Sequence, residues 1–158
     1  MKLSNNSNLT SGLMSSATDE WATPQDFFDK LDVEFGFSLD VCADDWNHKV
    51  DNYFDKTTDG LAQDWVGVCW MNPPYGRTIK EWMKKAYESS LAGATVVCLV
   101  PARTDTAWWH DYAMQGEIRF LRGRLKFVGR NGVGDAAPFP SAVVIFQPVE
   151  LEKATSES

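Results

Sequence analysis

Asn72-Pro73-Pro74-Tyr75 combines residue types that suit one chemical task. An amino group on an aromatic ring is a poor nucleophile, because its lone pair is delocalised into the ring. Two hydrogen-bond acceptors on its two N–H bonds draw the nitrogen toward tetrahedral geometry and localise that pair. The side-chain oxygen of Asn72 and the backbone carbonyl of Pro73 can be those acceptors, and no ionised base is needed. Pro73 and Pro74 make the turn rigid, and Tyr75 offers a flat face on which a base can stack. A site of neutral acceptors and aromatic faces also suits a cationic donor whose charge disappears in the transition state. Taken by itself, the tetrad is equally well explained as a turn.

The flanking pattern predicts that the tetrad stands at a ligand-binding edge. Val66 to Met71 is an apolar strand that runs directly into it, and the prolines must end that strand. Thr78 then caps a helix, with Glu81 completing a capping box, and Ile79, Trp82, Met83, Ala86, Tyr87 and Leu91 line its buried face up to Gly93. Upstream, Thr23 caps a helix with Pro24 in its first position, and Phe27, Phe28, Leu31 and Phe35 share one face up to Gly36. Phe37 to Cys42 is a strand that delivers Asp40 to its end. Residues 43–63 are polar and without period. Thr95 to Val100 is a third buried strand, ended by Pro101, and a short helix follows over 105–115. Glu117 to Leu121 and Ala142 to Gln147 are the last strands, with a Gly-rich loop before the second. Helices alternating with continuous apolar strands predict a single α/β domain with a mostly parallel central sheet. In such sheets ligands bind at the carboxyl ends of the strands, which is where Asp40, Asn72 and Pro101 fall.

A chain of 158 residues with 7 Trp and 9 Phe has the bulk for one core and one domain. Residues 21–148 form that domain in this reading, with 1–20 and 149–158 as mobile tails. Cys42, Cys69 and Cys98 are odd in number and sit in apolar runs, which predicts buried, reduced thiols and an intracellular setting. His48 and His110 are isolated, so no metal site is expected, and no membrane segment is evident. The net charge of −7 argues against nucleic acid until its distribution is considered. From Asp19 to Asp64 thirteen acids face three lysines, a net of −10, which leaves +3 for the remainder. There Arg119, Arg122, Arg124, Lys126 and Arg130 run without an intervening acid, a local face to which a phosphate backbone can respond. Such a run is as readily a solvated surface.

Trp70-Met71-Asn72-Pro73-Pro74-Tyr75-Gly76 resembles the phage-type DNA adenine-N6 methyltransferases, and the likeness runs from Trp21 to Gln147. The resemblance implies a compact Rossmann-like domain that takes its methyl group from S-adenosylmethionine, without a metal, and acts on double-stranded DNA. A cytoplasmic setting in a bacterial or phage-infected cell is implied with it. Thr23-Pro24 is similar to the motif whose threonine contacts the cofactor's methionine moiety. Leu39-Asp40-Val41-Cys42-Ala43 resembles the strand and turn over which the cofactor lies. Asp59-Gly60-Leu61, with Asp64-Trp65, is similar to the segment at the cofactor's adenine. Gly123-Arg124-Leu125-Lys126-Phe127 resembles a later loop whose aromatic, here Phe127, stacks on the target base. Arg122, Arg124 and Lys126 are then DNA contacts, and Arg77 and Arg103 stand where a phosphate could be held.

Read one residue at a time, Thr23-Pro24 is a helix start, Asp40 and Asp59 are turn residues and Phe127 is core. Trp108 and Trp109 place at least one ring in the core, and an exposed one could stack on a base. The sequence departs from the family pattern at Ala43-Asp44-Asp45-Trp46-Asn47, a loop without glycine. The stretch to Asp59 is also too short for another helix and strand, so the cofactor side is reduced. Asp44, Asp45 and Asp51 are equally eligible as the acid on the cofactor ribose. Cytosine-N4, RNA adenine or a protein glutamine would suit the same tetrad, and a non-catalytic nucleic-acid binding module would suit the glycine-free loop.

Overall fold

The computed structural model describes residues 21–148, so both expected tails lie outside the described residues. A short strand β1 (Trp21–Ala22) leads into α1 (Gln25–Phe35) and then β2 (Leu39–Asp40). Residues 43–59 are irregular and end in a 3-10 turn (Gly60–Ala62), as their lack of period predicts. β3 (Val68–Met71), α2 (Ile79–Leu91), β4 (Thr95–Pro101), α3 (Ala107–Asp111) and a second 3-10 turn (Ala113–Gln115) follow. The chain closes with β5 (Glu117–Phe120), β6 (Lys126–Gly129), β7 (Gly134–Ala136) and β8 (Ser141–Phe146).

The main sheet has the order β2-β3-β4-β8-β5 and is mixed. β2, β3 and β4 pair in parallel, whereas β8 is antiparallel to both of its neighbours, β4 and β5. The expectation of a mostly parallel sheet therefore holds only for the half that carries the tetrad. The reason is physical. All six residues of β8 are buried, and a strand covered on both faces reads as a continuous apolar run whichever way it points. A second sheet, β1-β6-β7, is antiparallel throughout, with Trp21 opposite Gly129 and Phe127 opposite Asp135. The Gly-rich loop is thus the turn of the β6–β7 hairpin.

The core forms where β4 and β8, paired from Val96↔Phe146 to Pro101↔Ser141, pack under α2. Phe28 and Phe37 stack on each other and meet Trp70 edge-on, which fastens α1 to β3. Gly36 stops α1 in a left-handed conformation (φ 68°), its N–H bonded to the Asp32 carbonyl. The helix starts correct the sequence reading. Pro24, not Thr23, holds the cap position of α1, because the Thr23 hydroxyl is engaged elsewhere. Thr78 has helical backbone angles and no side-chain cap on α2. Leu91, expected on the buried face, is exposed. Trp108 and Trp109 are both buried. Cys42, Cys69 and Cys98 form no disulfide, and burial pushes the Cys69 thiol up to about 12. No helix among the described residues is long and apolar enough to cross a membrane.

Candidate active site

β3 ends at Met71 and hands the chain to Asn72, which is only 5% exposed; Pro73 is buried beside it. Asn72 Nδ2 donates to Thr23 Oγ1 at 3.0 Å, and the Tyr75 hydroxyl donates to Asn72 Oδ1 at 2.7 Å. The same hydroxyl lies 3.1 Å from the Leu99 carbonyl of β4. Burial holds the Tyr75 phenol far above its ordinary pKa, so it stays a donor. Arg103, just beyond β4, donates from Nη1 to the Tyr75 carbonyl at 3.1 Å and stacks over Phe139. Three elements therefore fix the tetrad: the segment after β1, the carboxyl half of β4 and the loop beyond it.

Tyr75 is fully enclosed, with Phe127 of β6 and Phe139 edge-on to it at 6.2 and 5.4 Å. Two expectations change here. The Tyr75 ring presents no open face, and its hydroxyl is fully engaged. Phe127 is 0% exposed and belongs to the core beneath the hairpin, not to a surface on which a base could stack. Its residue-by-residue reading as core is the one that matches.

Beside the tetrad lies a cavity of about 180 Å³, lined by Val41, Cys42, Ala43, Phe54, Asp55, Lys56, Asp59, Gly60, Pro74 and Trp82. Three of the residues singled out for the cofactor, Cys42, Ala43 and Asp59, are on its wall. Asp59 is the one non-glycine with positive φ among the described residues (59°). Such strain persists where the surroundings impose it, and it clusters at ligand clamps. Gly60 is required next to it, because a Cβ there would run into the Val41 carbonyl and the Trp82 ring. Leu61 turns away and packs on the core. Pro24 is on neither cavity wall.

A smaller cavity adjoins, lined by Trp21, Ala22, Thr23, Asp40, Cys42, Asn47, Lys49, Trp70 and Asn72. Asp40 accepts from the Lys49 and Cys42 backbone N–H groups, at 2.9 and 3.3 Å. Burial outweighs those bonds and pushes its carboxyl up to about 7. The Trp21 indole N–H is buried here without a partner.

Sequence reasoning missed Asp55, Lys56 and Trp82 at the larger cavity. Asp55 and Thr58 bond reciprocally, each backbone N–H to the other's side chain. That is the arrangement of a capping box, and Asp55-Lys56-Thr57-Thr58 carries its spacing. The acids considered for the ribose, Asp44, Asp45 and Asp51, are not on the wall. Among the described residues no group of three His, Cys, Asp or Glu stands together.

Arg122, Arg124, Lys126 and Arg130 are exposed on and before the β6–β7 hairpin, and Arg77 is exposed after the tetrad. Arg130 stacks over Trp46. Arg119 differs, since it pairs with Glu34 and Glu117 at 2.7 and 2.8 Å. The hairpin reaches the tetrad twice, through Phe127 on Tyr75 and through its pairing with β1, next to Thr23.

Residues 10–157 match the family model described as DNA N-6-adenine-methyltransferase (Dam). The DNA N-6-adenine-methyltransferase of Haemophilus phage HP1 (strain HP1c1) is 34% identical over 139 residues, spanning 82% of this chain and 79% of the relative. YfdM of Escherichia coli (strain K12) is 35% identical over 65 residues, 36% of this chain and 71% of that protein. With the tetrad, the two cavities and the match over nearly its whole length, the chain belongs to the DNA N-6-adenine-methyltransferase family.

Proposed function

We propose that this protein transfers a methyl group from S-adenosylmethionine to N6 of adenine in double-stranded DNA. The observation that carries the reading is the tetrad's position, with the larger cavity on one side and the basic hairpin on the other. When bound, S-adenosylmethionine supplies a methyl group on a cationic sulfur. Asn72 Oδ1 and the Pro73 carbonyl accept the two amine hydrogens, and the prolines hold these acceptors rigid. Asp55 and Asp59 on the larger cavity are suited to ribose hydroxyls. Asp40 and the unpartnered Trp21 N–H on the smaller one are suited to the charged methionine end. The parallel order β2-β3-β4, with these groups at its carboxyl ends, supports a Rossmann-like plan for the cofactor half. Incubation with labelled S-adenosylmethionine and plasmid DNA, followed by nucleoside analysis, tests the reaction directly. Label in N4-methylcytosine, or none in DNA, would reject it.

Two further outcomes are expected. Asp40 is largely neutral below about 7, and a neutral carboxyl cannot attract a cationic amine. Cofactor affinity should therefore rise by about tenfold from pH 6 to pH 8. Calorimetric titration across that range checks it, and Asp40→Asn should flatten the dependence. On the DNA side, a phosphate contact adds about −0.9 to the log–log slope of affinity against salt. Replacing Arg122 and Arg130 with Ala should flatten that slope by up to about two, with cofactor affinity unchanged. An unaltered slope would reduce the basic hairpin to a solvated surface.

A further inference from the structure

We propose that the hydroxyls of Thr23 and Tyr75 are positioning groups that set the orientation of the Asn72 amide for methyl transfer. The inference rests on the proposed reaction and adds two residues' roles to it. An amide side chain has chemically unlike ends, and only its oxygen can accept a hydrogen from the target amine. Asn72 is held at both ends: Nδ2 by Thr23 Oγ1 at 3.0 Å, and Oδ1 by the Tyr75 hydroxyl at 2.7 Å. All three residues are buried, where an unsatisfied polar group is costly, so the amide plane is held in place between the two hydroxyls. Thr23 is 49 residues from Asn72 in sequence and reaches it because β1 is fixed by pairing with β6.

The Tyr75 hydroxyl has one proton and two acceptors within reach, Asn72 Oδ1 and the Leu99 carbonyl at 3.1 Å. When the target amine takes Oδ1, the hydroxyl turns its proton to Leu99. The full acceptor capacity of the Asn72 oxygen then goes to the amine, and no buried donor is left unpaired. This assigns the hydroxyl of Tyr75 a task that its ring alone cannot perform.

The test compares Thr23→Val, Thr23→Ser and Tyr75→Phe in the full chain, by kcat, KM for DNA and the dissociation constant of S-adenosylmethionine. Loss of one orienting hydrogen bond should lower kcat about tenfold in Thr23→Val and in Tyr75→Phe. KM for DNA should change less than about threefold in both variants, and so should cofactor affinity in Tyr75→Phe, a split that a merely structural defect does not produce. Thr23→Ser, which keeps the hydroxyl, should recover most of the rate. A Thr23→Val enzyme with wild-type kcat and weakened cofactor would overturn the proposal and make Thr23 a plain cofactor contact. Full turnover by Tyr75→Phe would remove the hydroxyl from the mechanism. Wild-type enzyme that methylates no adenine would instead reject the reaction itself, before any variant is compared.

Discussion

Asn72→Ala should lower methyl transfer by about a hundredfold or more while cofactor binding changes little. Alanine removes the side-chain acceptor for the target amine, and losing one pre-organised hydrogen bond of this kind costs about 3 kcal/mol of barrier. Cofactor affinity is expected to change far less, because Asn72 borders only the smaller cavity, where Asp40 and Trp21 offer the polar contacts, and the larger one is lined by Pro74 and not by Asn72. Asn72 is also the hub between Thr23 and Tyr75, so its removal leaves the buried Thr23 oxygen without that partner. Tyr75 is less affected, since the Leu99 carbonyl is still in reach. Single-turnover rates beside calorimetric cofactor titrations separate chemistry from binding. A folded Asn72→Ala protein that turns over like wild type would remove the Asn72 side chain from catalysis.

The parts of the site that were legible in the sequence are those fixed by local rules. Two prolines after an apolar strand can only end it, so Asn72 had to stand at the end of β3. Pro101 was placed at a strand end by the same reasoning and Asp40 by the apolar run that carries it, and both are there. The wall of the larger cavity was half legible. Cys42, Ala43 and Asp59 were singled out by the family resemblance, whereas Asp55 and Lys56 lie in a stretch with no period to locate them.

What long-range packing decides was not legible. Thr23 is a sound helix cap by type, and nothing local says that its hydroxyl is taken by an amide 49 residues away. Strand direction is equally hidden, because β8 is buried on both faces and reads the same either way. Arg103 was marked for phosphate by its charge and its place after β4. Neither signals that part of its hydrogen-bonding capacity goes to the Tyr75 carbonyl.

Phe127→Ala should destabilise the protein by about 3–5 kcal/mol, the range for emptying a large aromatic from a packed core. In a domain of this size that corresponds to a drop in melting temperature of about 10 °C or more. Phe127 has no exposed surface, stands edge-on to Tyr75 and ties β6 to the tetrad beneath it. A residue stacked on the target base makes the opposite demand, since its loss weakens DNA binding by roughly 1–3 kcal/mol and leaves the free protein stable. Phe127→Leu sharpens the contrast, because leucine refills most of the volume and cannot stack. It should recover much of the stability and bind DNA as the wild type does. Denaturant unfolding alongside DNA titrations of both variants decides between the two roles. Stable variants with weakened DNA binding would return Phe127 to the base, and would require the β6–β7 hairpin to lift from Tyr75 before a flipped adenine enters.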